Sequence, residues 1–255
     1  MDALPVPGDG VTGIYAPPEA TSVVAAADAP LLRGLFPAAV GAAELCGGAV
    51  GIGLWPAEAQ AVERAVPGRV REFAAGRACA RVAMAQLGHA PVAVPSRPDR
   101  APAWPTGLVG SITHTSGYCA AVVASASLYV GIGIDVEQVG TIDADLWSRL
   151  YTPTELDWLQ GQSDAWRDEA AALLFCAKEA FYKSQYPSTG RWLEFDDVEV
   201  EVHRPADGIE VGTYTIRVVG QVSPACVPSS AHGRYCTRGG LLLASAWVEQ
   251  SGGVT

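Results

Sequence analysis

The sequence predicts an α+β fold, with strands and helices in separate blocks rather than in regular β-α-β alternation. Its two clearest helical stretches, 69–87 and 163–184, are each surrounded by short apolar stretches of strand character. The order of strands, then helices, then strands in each half fits an α+β architecture better than a parallel sheet with crossover helices. At 255 residues the chain is long enough for one large domain or two of ordinary size.

The composition limits the classes of binding partner and the cellular compartment that we expect for this protein. Lysine and arginine number 17 against 27 aspartates and glutamates, so the net charge is −10, and neither nucleic acid nor an anionic membrane is expected as a partner. The six cysteines show no C-x-x-C or zinc spacing and are interpreted as reduced core residues. Because the sequence shows neither a leader pattern nor an apolar run of membrane-spanning length, we expect a cytoplasmic protein.

The first half contains six predicted elements. In chain order they are a candidate strand in GVTGIYA, a glycine-broken strand within 42–54, a short helix over 56–66, a helix over 69–87, and strands over 108–115 and 118–126. Pro67 and Gly68 end the short helix, and Gly88 occupies the usual position after a helix C-terminus.

The second half begins with a strand over 129–137. A capping box at Thr152 starts a helix that runs through Trp158, and Ser163 caps the long helix over 163–184. A turn is predicted at 188–191, and strands are predicted over 195–202, 211–219 and 241–248. A loop that contains Pro, Gly, Ser and Cys is expected over 221–240, with no further detail.

The predicted strand 129–137 ends in two carboxylates that strand formation does not require. Asp135 and Glu137 are two residues apart, so both side chains leave the same face of a strand. Two adjacent like charges repel unless a cation or a shared proton relieves them, and oxygen ligands suit a hard ion such as Mg²⁺. Taken alone, such a pair is more often a solvated strand edge, so both explanations stay open at this point.

The helix predicted at 163–184 carries Glu179 in a mostly apolar setting, with Lys178 beside it and Lys183 one turn later. An ion pair between Glu179 and Lys183 on an exposed face explains these residues without any chemistry. Taken by itself, that structural explanation is the preferred one.

Three motifs occur in a fixed order: SITHT at 111–115, GIGIDVE at 131–137 and FCAKEAFYKS at 175–184. Together they resemble the 4′-phosphopantetheinyl transferases, in the larger monomeric class that activates siderophore, polyketide and nonribosomal-peptide synthases. The helix motif of that family is W/F-x-x-K-E-[AS]-x-x-K, and it is matched by Phe175, Lys178, Glu179, Ala180 and Lys183. The resemblance extends from about residue 69 to residue 195.

The resemblance implies a pseudo-dimer of two similar α+β halves, with the active site and coenzyme A at their interface. A division near Ser127 gives halves of 1–127 and 128–255. It also implies a monomeric enzyme that transfers the 4′-phosphopantetheine arm of coenzyme A to a serine of apo acyl or peptidyl carrier proteins and releases adenosine 3′,5′-bisphosphate.

The same resemblance implies a set of residues that contact coenzyme A: Arg71, Arg77, Arg100, Ser111, Thr113, His114, Lys178 and Lys183. In the family, the arginines that Arg71 and Arg77 match hold the 3′-phosphate and nearby phosphates of coenzyme A. A planar guanidinium suits a phosphate, and a histidine can donate a hydrogen bond to an anion. The alternatives are a surface loop for Arg100 and a structural hydrogen bond for His114. Arg81, in the same helix as Arg77, is interpreted as a packing residue.

For the chemistry, the resemblance assigns Asp135, Glu137 and Glu179 to Mg²⁺, with Mn²⁺ as the alternative. Lys178 is expected to stabilise the leaving phosphate. A carboxylate is expected to take the proton of the acceptor serine, either Glu179 directly or a group acting through a metal-bound water, and Glu179 need not serve as both ligand and base. Glu155 is a minor candidate for the base, although its place in the capping box at Thr152 already explains it.

Two other functions use similar residues: a metal-dependent hydrolase of a phosphate ester or anhydride, and a non-catalytic relative that binds carrier protein or coenzyme A. The matched motif residues argue against the second. Carrier proteins are commonly acidic, as is this chain, so an apolar patch after the metal strand is expected to receive them. Its candidate residues are Leu146, Trp147, Leu150, Tyr151, Trp158 and Leu159, with at least one tryptophan exposed.

Overall fold

The computed structural model describes residues 23–25, 30–47, 51–219, 228 and 230–250. Its strands form two antiparallel sheets, a four-stranded sheet in the order β1-β2-β4-β3 and a five-stranded sheet in the order β5-β9-β8-β7-β6. The α+β prediction is therefore confirmed, and no pair of described strands is parallel.

The first sheet is built from β1 (Val24–Ala25), β2 (Gly41–Cys46), β3 (Leu108–Thr115) and β4 (Tyr118–Ser125). Its outer face packs against α2 (Pro67–Gln86), which follows a short helix α1 (Pro56–Ala59) and a 3₁₀ turn (Gln60–Val62). The contact face of α2 is rich in small residues such as Ala75, Cys79 and Ala83, so the helix lies close to the sheet.

The second sheet is built from β5 (Tyr129–Gln138), β6 (Val198–His203), β7 (Gly212–Val218), β8 (Ser230–Arg238) and β9 (Leu241–Glu249). Its outer face packs against α5 (Asp164–Thr189), which α3 (Trp147–Leu150) and α4 (Pro153–Gln160) precede. The inner faces of the two sheets meet in a shared core that contains Tyr118 and Val122 from the first and Ile132, Ile134 and Leu243 from the second. Each sheet therefore carries one long helix on its outside, in four layers.

Two glycines of β5 bring α5 into direct contact with the strand. A Cβ atom at Gly131 or Gly133 would lie 1.8 Å from the carbonyl oxygen of Ser184 or Ala180, respectively. No side chain fits at either position. The alternating glycines before Asp135 are thus explained by the close approach of the helix that carries Glu179 and Lys183.

Strand β3 of the first sheet packs against strand β5 of the second sheet. The amide of Ile134 donates to the Ser111 hydroxyl at 3.2 Å, and the Thr113 hydroxyl donates to Oδ1 of Asp135 at 3.1 Å. Residues from the two parts of the chain therefore share one region. The predicted boundary at 127/128 falls between β4 and β5 and stays a prediction.

Three predictions of detail were wrong. Helix α5 does not end before residue 188 but continues through Pro187 to Thr189, where Gly190 in the left-handed region (φ 62°) ends it. Residues 230–238 of the predicted loop form the strand β8, whose backbone pairs with both β7 and β9. Cys46 is exposed, whereas Cys79, Cys119, Cys176 and Cys236 are buried as expected, and these five are free thiols.

The remaining elements lie within a few residues of their predicted positions. The candidate strand in GVTGIYA and Cys226 lie outside the described residues. Of the helices in the described part of the chain, none combines the length and the apolar character that a bilayer span requires.

Candidate active site

Asp135, near the end of β5, lies at the centre of a charged cluster. Its Oδ1 atom accepts a hydrogen bond from Nζ of Lys183 at 2.6 Å and from the Thr113 hydroxyl at 3.1 Å. Its Oδ2 atom is buried and has no partner in the described part of the chain. A buried carboxylate oxygen without a donor is costly, so this atom marks a place where a cation fits.

Glu137 and Glu179 add two further carboxylates to this cluster. Burial, followed by the charge of Asp135, raises the pKa of Glu137 to about 7, although Lys183 opposes the shift. Burial also raises the pKa of Glu179, with a further contribution from Asp135. Each carboxylate therefore acts on the ionisation of another, as expected for groups that share one site.

The donor set of this cluster fits a hard divalent cation. It offers only carboxylate oxygens, together with the unpartnered Oδ2 of Asp135. As the side chains stand, no three His, Cys, Asp or Glu side chains within the described residues lie close enough together to hold an ion. Lys183 supplies the positive charge instead, and the interaction with Asp135 raises its pKa although burial lowers it.

Lys178 faces away from this cluster. Its Nζ atom donates to Oε2 of Glu155 at 2.6 Å, to the carbonyl of Phe195 at 2.7 Å and to the carbonyl of Leu150 at 3.0 Å. An ammonium has three donors, so all of them are used. The carboxylate of Glu155 is equally occupied, because it also accepts from the backbone amides of Thr152 and Val200, both at 2.8 Å.

Burial governs the ionisation of this second pair. It lowers the pKa of Lys178 and raises the pKa of Glu155, while the attraction between the two charges opposes both shifts. Consecutive residues of a helix point about 100° apart, which explains how Lys178 and Glu179 serve different clusters. The capping box at Thr152 is present as predicted.

An arginine-lined cavity of about 600 Å³ opens beside α2. Among the described residues, four arginines and no acidic residue line it, namely Arg69, Arg77, Arg97 and Arg100. Arg77 is fixed by hydrogen bonds to the Val94 carbonyl at 3.1 Å and the Ser96 hydroxyl at 3.2 Å, and it stacks on Phe73. In a chain of net charge −10, such a concentration of positive charge indicates an anion site.

A smaller pocket of about 160 Å³ lies at the turn between β3 and β4. Arg71, Glu72 and His114 line it, together with the backbone of the turn. The guanidinium of Arg69 hydrogen-bonds Nε2 of His114 and so connects this pocket with the arginine-lined cavity. Burial and the neighbouring charge of Arg69 lower the pKa of His114.

An apolar pocket of about 190 Å³ lies between α5 and the segment that follows it. Lys178 and Glu179 form part of its wall, and its other lining residues include Phe181, Tyr182, Trp192, Leu193, Phe195 and Val198. The pocket therefore joins an apolar surface to a carboxylate of the charged cluster.

The structure thus divides the predicted site residues into separate groups. Asp135 and Lys183 form an ion pair whose charges act on Glu137 and Glu179, although the three carboxylates do not lie close enough together to hold an ion. Lys178 and Glu155 form a pair of their own. Arg77 and Arg100 share the large cavity, and Arg71 and His114 share the small pocket. The hydroxyls of Ser111 and Thr113 are used within the protein, on Ile134 and Asp135.

Three residues of interest were missed in the sequence. Arg69 and Arg97 line the large cavity, and their closeness to Arg77 and Arg100 along the chain was the available signal. Trp192 is 68% exposed, whereas Trp147 and Trp158 are only partly exposed and belong to the edge of the core. The expectation that one of the latter two tryptophans is an exposed anchor was therefore wrong.

Comparisons with known proteins give one consistent result. A family model described as the 4′-phosphopantetheinyl transferase superfamily matches residues 131–235, and a model of the N-terminal domain of these enzymes matches residues 57–124. A Nocardia iowensis protein named 4′-phosphopantetheinyl transferase Npt is 36% identical over 218 residues, which cover 84% of this chain and 97% of the relative.

A second relative, 4′-phosphopantetheinyl transferase Svp of Streptomyces mobaraensis, is 38% identical over 205 residues, which cover 78% of this chain and 80% of the relative. Among solved structures, a holo-[acyl-carrier-protein] synthase of Thermotoga maritima is 22% identical, with a TM-score of 0.36 over 48% of this chain and 64% of that one.

Proposed function

This chain belongs to the 4′-phosphopantetheinyl transferases, and we propose that it transfers the 4′-phosphopantetheine arm of coenzyme A to a serine of apo acyl or peptidyl carrier proteins. The product released is adenosine 3′,5′-bisphosphate. The observation that carries this proposal is the pairing of an arginine-lined cavity with a carboxylate cluster that adjoins an apolar pocket. Coenzyme A has a phosphate-rich nucleotide end and a largely uncharged arm, which need such different surroundings.

The large cavity suits the nucleotide end of coenzyme A. Guanidinium groups bind phosphate oxygens through paired, charge-assisted hydrogen bonds. We assign this role to Arg77 and Arg100, which line the cavity together with Arg69 and Arg97. Arg71 and His114 offer a second anion position at the neighbouring turn. The apolar pocket beside Glu179 suits the uncharged pantetheine arm.

Asp135, Glu137 and Glu179 are proposed to hold Mg²⁺. When bound, the ion would offset the negative charge of the pyrophosphate during phosphoryl transfer. The unpartnered Oδ2 of Asp135 supports this assignment. Lys183 contributes a positive charge at the same place, since its Nζ atom lies 2.6 Å from Oδ1 of Asp135.

The transfer itself requires a proton acceptor. The hydroxyl oxygen of the carrier serine forms a bond to the phosphorus next to the pantetheine arm, and the bond from that phosphorus to the bridging oxygen breaks. Glu179, whose carboxylate borders the pocket proposed for the arm, is proposed to take the hydroxyl proton, and this role is an alternative to its role as a ligand of Mg²⁺. The catalytic roles of Lys178 and Glu155 stay predictions, and their contacts support a positioning role for both.

Lys178 positions the two segments that border the apolar pocket. It holds the end of α3 through the Leu150 carbonyl and the segment after α5 through the Phe195 carbonyl. Since Phe195 lines the pocket, these contacts let Lys178 act on the shape of the pocket.

We also propose that the active unit is a single chain in the cytoplasm. Thr113 of the first sheet contacts Asp135 of the second, so one chain supplies residues of both halves to the site. Free cysteines, of which five are described, suit a reducing compartment.

The test is direct. The protein is incubated with coenzyme A, Mg²⁺ and an apo carrier protein, and the carrier is weighed by mass spectrometry. Attachment of the phosphopantetheine arm supports the proposal, whereas hydrolysed nucleotide with an unmodified carrier would identify a hydrolase. The Asp135→Asn protein is the matched control, since it should fold but fail to modify the carrier.

A further inference from the structure

The buried carboxylate of Glu58 lies behind the arginine-lined cavity. Glu58 is 0% exposed and belongs to α1, whose neighbouring residues Ala57, Gln60 and Ala61 line that cavity. We propose that Glu58 is a positioning residue that fixes two walls of the cavity and thereby the selectivity for the 3′-phosphate of coenzyme A. The inference rests on the proposed function and deepens it.

Glu58 holds three groups. Its Oε2 atom accepts from the amide of Trp55 at 3.0 Å, which fixes the start of α1. Its Oε1 atom accepts from the amide of Val94 at 3.0 Å and from Nη1 of Arg81 at 2.6 Å. One side chain therefore joins α1, α2 and the irregular segment that contains Val94.

Val94 links Glu58 to the phosphate-binding arginine. Its amide donates to Glu58, and its carbonyl accepts from Nε of Arg77 at 3.1 Å. The next residue but one, Ser96, accepts from Nη2 of Arg77 at 3.2 Å. The direction of the Arg77 guanidinium is therefore set by a segment that Glu58 holds in place.

Arg81 balances the charge of Glu58 but does not line the cavity. Its Nε and Nη2 atoms are buried without a partner in the described residues, so the pair is incompletely satisfied. A buried ion pair of this kind is weak evidence for stability, because removing charges from water costs about as much as the pair returns. The hydrogen bond from the amide of Val94 to Glu58 explains the buried carboxylate better than a gain in stability does.

Without an acceptor at position 58, the amide of Val94 has no partner and the segment that carries Ser96 and Arg97 can relax. Arg77 would keep its charge but lose its fixed direction. Paired hydrogen bonds to a phosphate depend on that direction more than on net charge. We therefore expect a selective loss for ligands that carry a 3′-phosphate.

The experiment compares two double variants of the full chain. Glu58→Gln with Arg81→Met removes both charges but keeps an oxygen that can accept from Val94. Glu58→Leu with Arg81→Met removes the charges and the acceptor. Neither leaves an unpaired buried charge, so both are expected to fold. The binding of adenosine 3′,5′-bisphosphate and adenosine 5′-monophosphate is measured by calorimetry.

The expected result is a wild-type preference for the bisphosphate that the Gln/Met variant keeps and the Leu/Met variant loses by roughly tenfold, the size of one charge-assisted hydrogen bond. In the Leu/Met variant, the maximal rate of transfer at saturating coenzyme A should change much less than the KM for coenzyme A. An equal preference in both double variants, whether kept or lost, would overturn the proposal, because only the acceptor for Val94 differs between them.

Two further outcomes are decisive. If the Leu/Met protein does not fold, Glu58→Asp takes its place. The shorter side chain draws the carboxylate back from both donors, and the flexible side chain of Arg81 can follow it, whereas the backbone amide of Val94 cannot. An unchanged preference in a folded Glu58→Asp protein would overturn the inference. A wild-type protein that binds both nucleotides equally would refute the assignment of the cavity itself, and with it this inference, whatever the variants show.

Discussion

The Nζ atom of Lys178 lies 2.6 Å from Oε2 of Glu155, and both side chains are 2% exposed. This pair is separate from the carboxylate cluster around Asp135, although Lys178 is the immediate neighbour of Glu179 along the chain. Its remaining bonds join Lys178 to the carbonyls of Leu150 and Phe195. The lysine of the family motif is therefore part of the scaffold around the apolar pocket.

Removing one partner of this pair should strongly destabilise the protein. Lys178→Met leaves the Glu155 carboxylate buried without its cation, and such a loss typically costs about 3–5 kcal/mol. The double variant Lys178→Met with Glu155→Gln should recover about 2 kcal/mol relative to the sum of the single changes, because no unpaired charge remains. Urea denaturation of the wild type, Lys178→Met, Glu155→Gln and the double variant measures this coupling.

The activity of the same double variant separates two roles of Lys178. A stable protein that still transfers the arm would support a positioning role, whereas a stable but inactive protein would show that the ammonium acts on the substrate. Strictly additive losses of stability would contradict the buried pair itself.

The raised pKa of Glu137, about 7, predicts how stability changes with pH. Its folded-state pKa lies above the unfolded value, so the folded protein binds this proton more tightly. The contribution of Glu137 to stability is therefore complete below about pH 4.5 and is lost as the pH rises through about 7. Without added metal, Glu137→Gln should be less sensitive than wild type to a change from pH 6 to pH 8, as measured by thermal melting.

Added Mg²⁺ should reverse this effect in the wild type. A metal ligand must be deprotonated, so the ion should raise the melting temperature more at pH 8 than at pH 6. Burial raises the pKa of Glu179 as well. The comparison of wild type with Glu137→Gln therefore isolates the contribution of Glu137 to the pH dependence. An identical response to Mg²⁺ in both proteins would exclude Glu137 as a ligand.

Arg100 has a left-handed backbone (φ 70°), which a side chain makes unfavourable by roughly 1 kcal/mol. It also lines the arginine-lined cavity. Arg100→Gly should relieve the strain and be more stable than Arg100→Ala by about 1 kcal/mol, while both lose affinity for coenzyme A. Denaturation and calorimetry measure the two effects. Equal stability of the two variants would show that the backbone at this position relaxes freely.

The fold could be predicted from the sequence where local signals agree with the final packing. Glycine placement, capping residues and apolar alternation located α2, α4 and β3 to β5 within a few residues. Two elements depended on tertiary context instead. α5 continues through Pro187, which normally signals the end of a helix, and β8 is recognisable only by its pairing with β7 and β9.

The site could be predicted as a set of residues but not as an arrangement. The motif residues Lys178 and Glu179 are neighbours in sequence, and only the packing of α5 shows that they face different clusters. The motif also says nothing about Glu58, since its role depends on a bond to the backbone of Val94, 36 residues away. Backbone acceptors and donors leave no trace in side-chain patterns.

Trp192 is the exposed aromatic residue that borders the apolar pocket. It is 68% exposed, its ring packs edge-on against Tyr182 at 5.2 Å between centroids, and its indole nitrogen donates to Glu194 at 2.9 Å. Its orientation is therefore fixed before any partner arrives. Rigid, partly exposed aromatic side chains are frequent anchors in protein interfaces.

We expect Trp192→Ala to raise the KM for carrier protein by about tenfold, the effect of a typical anchor residue, and to leave the KM for coenzyme A nearly unchanged. Ile209→Ala is the matched control, since Ile209 is 56% exposed but lies at the far end of the β6–β7 hairpin. Equal effects of both variants would show that the carrier does not anchor on Trp192.

An acidic carrier docked at Trp192 would meet the acidic residues Glu194 and Asp196, so we expect charge attraction to contribute little to the affinity. The transfer rate should therefore fall weakly, or rise, as salt increases to physiological strength. A steep loss of rate with salt would instead show that opposite charges attract the carrier protein.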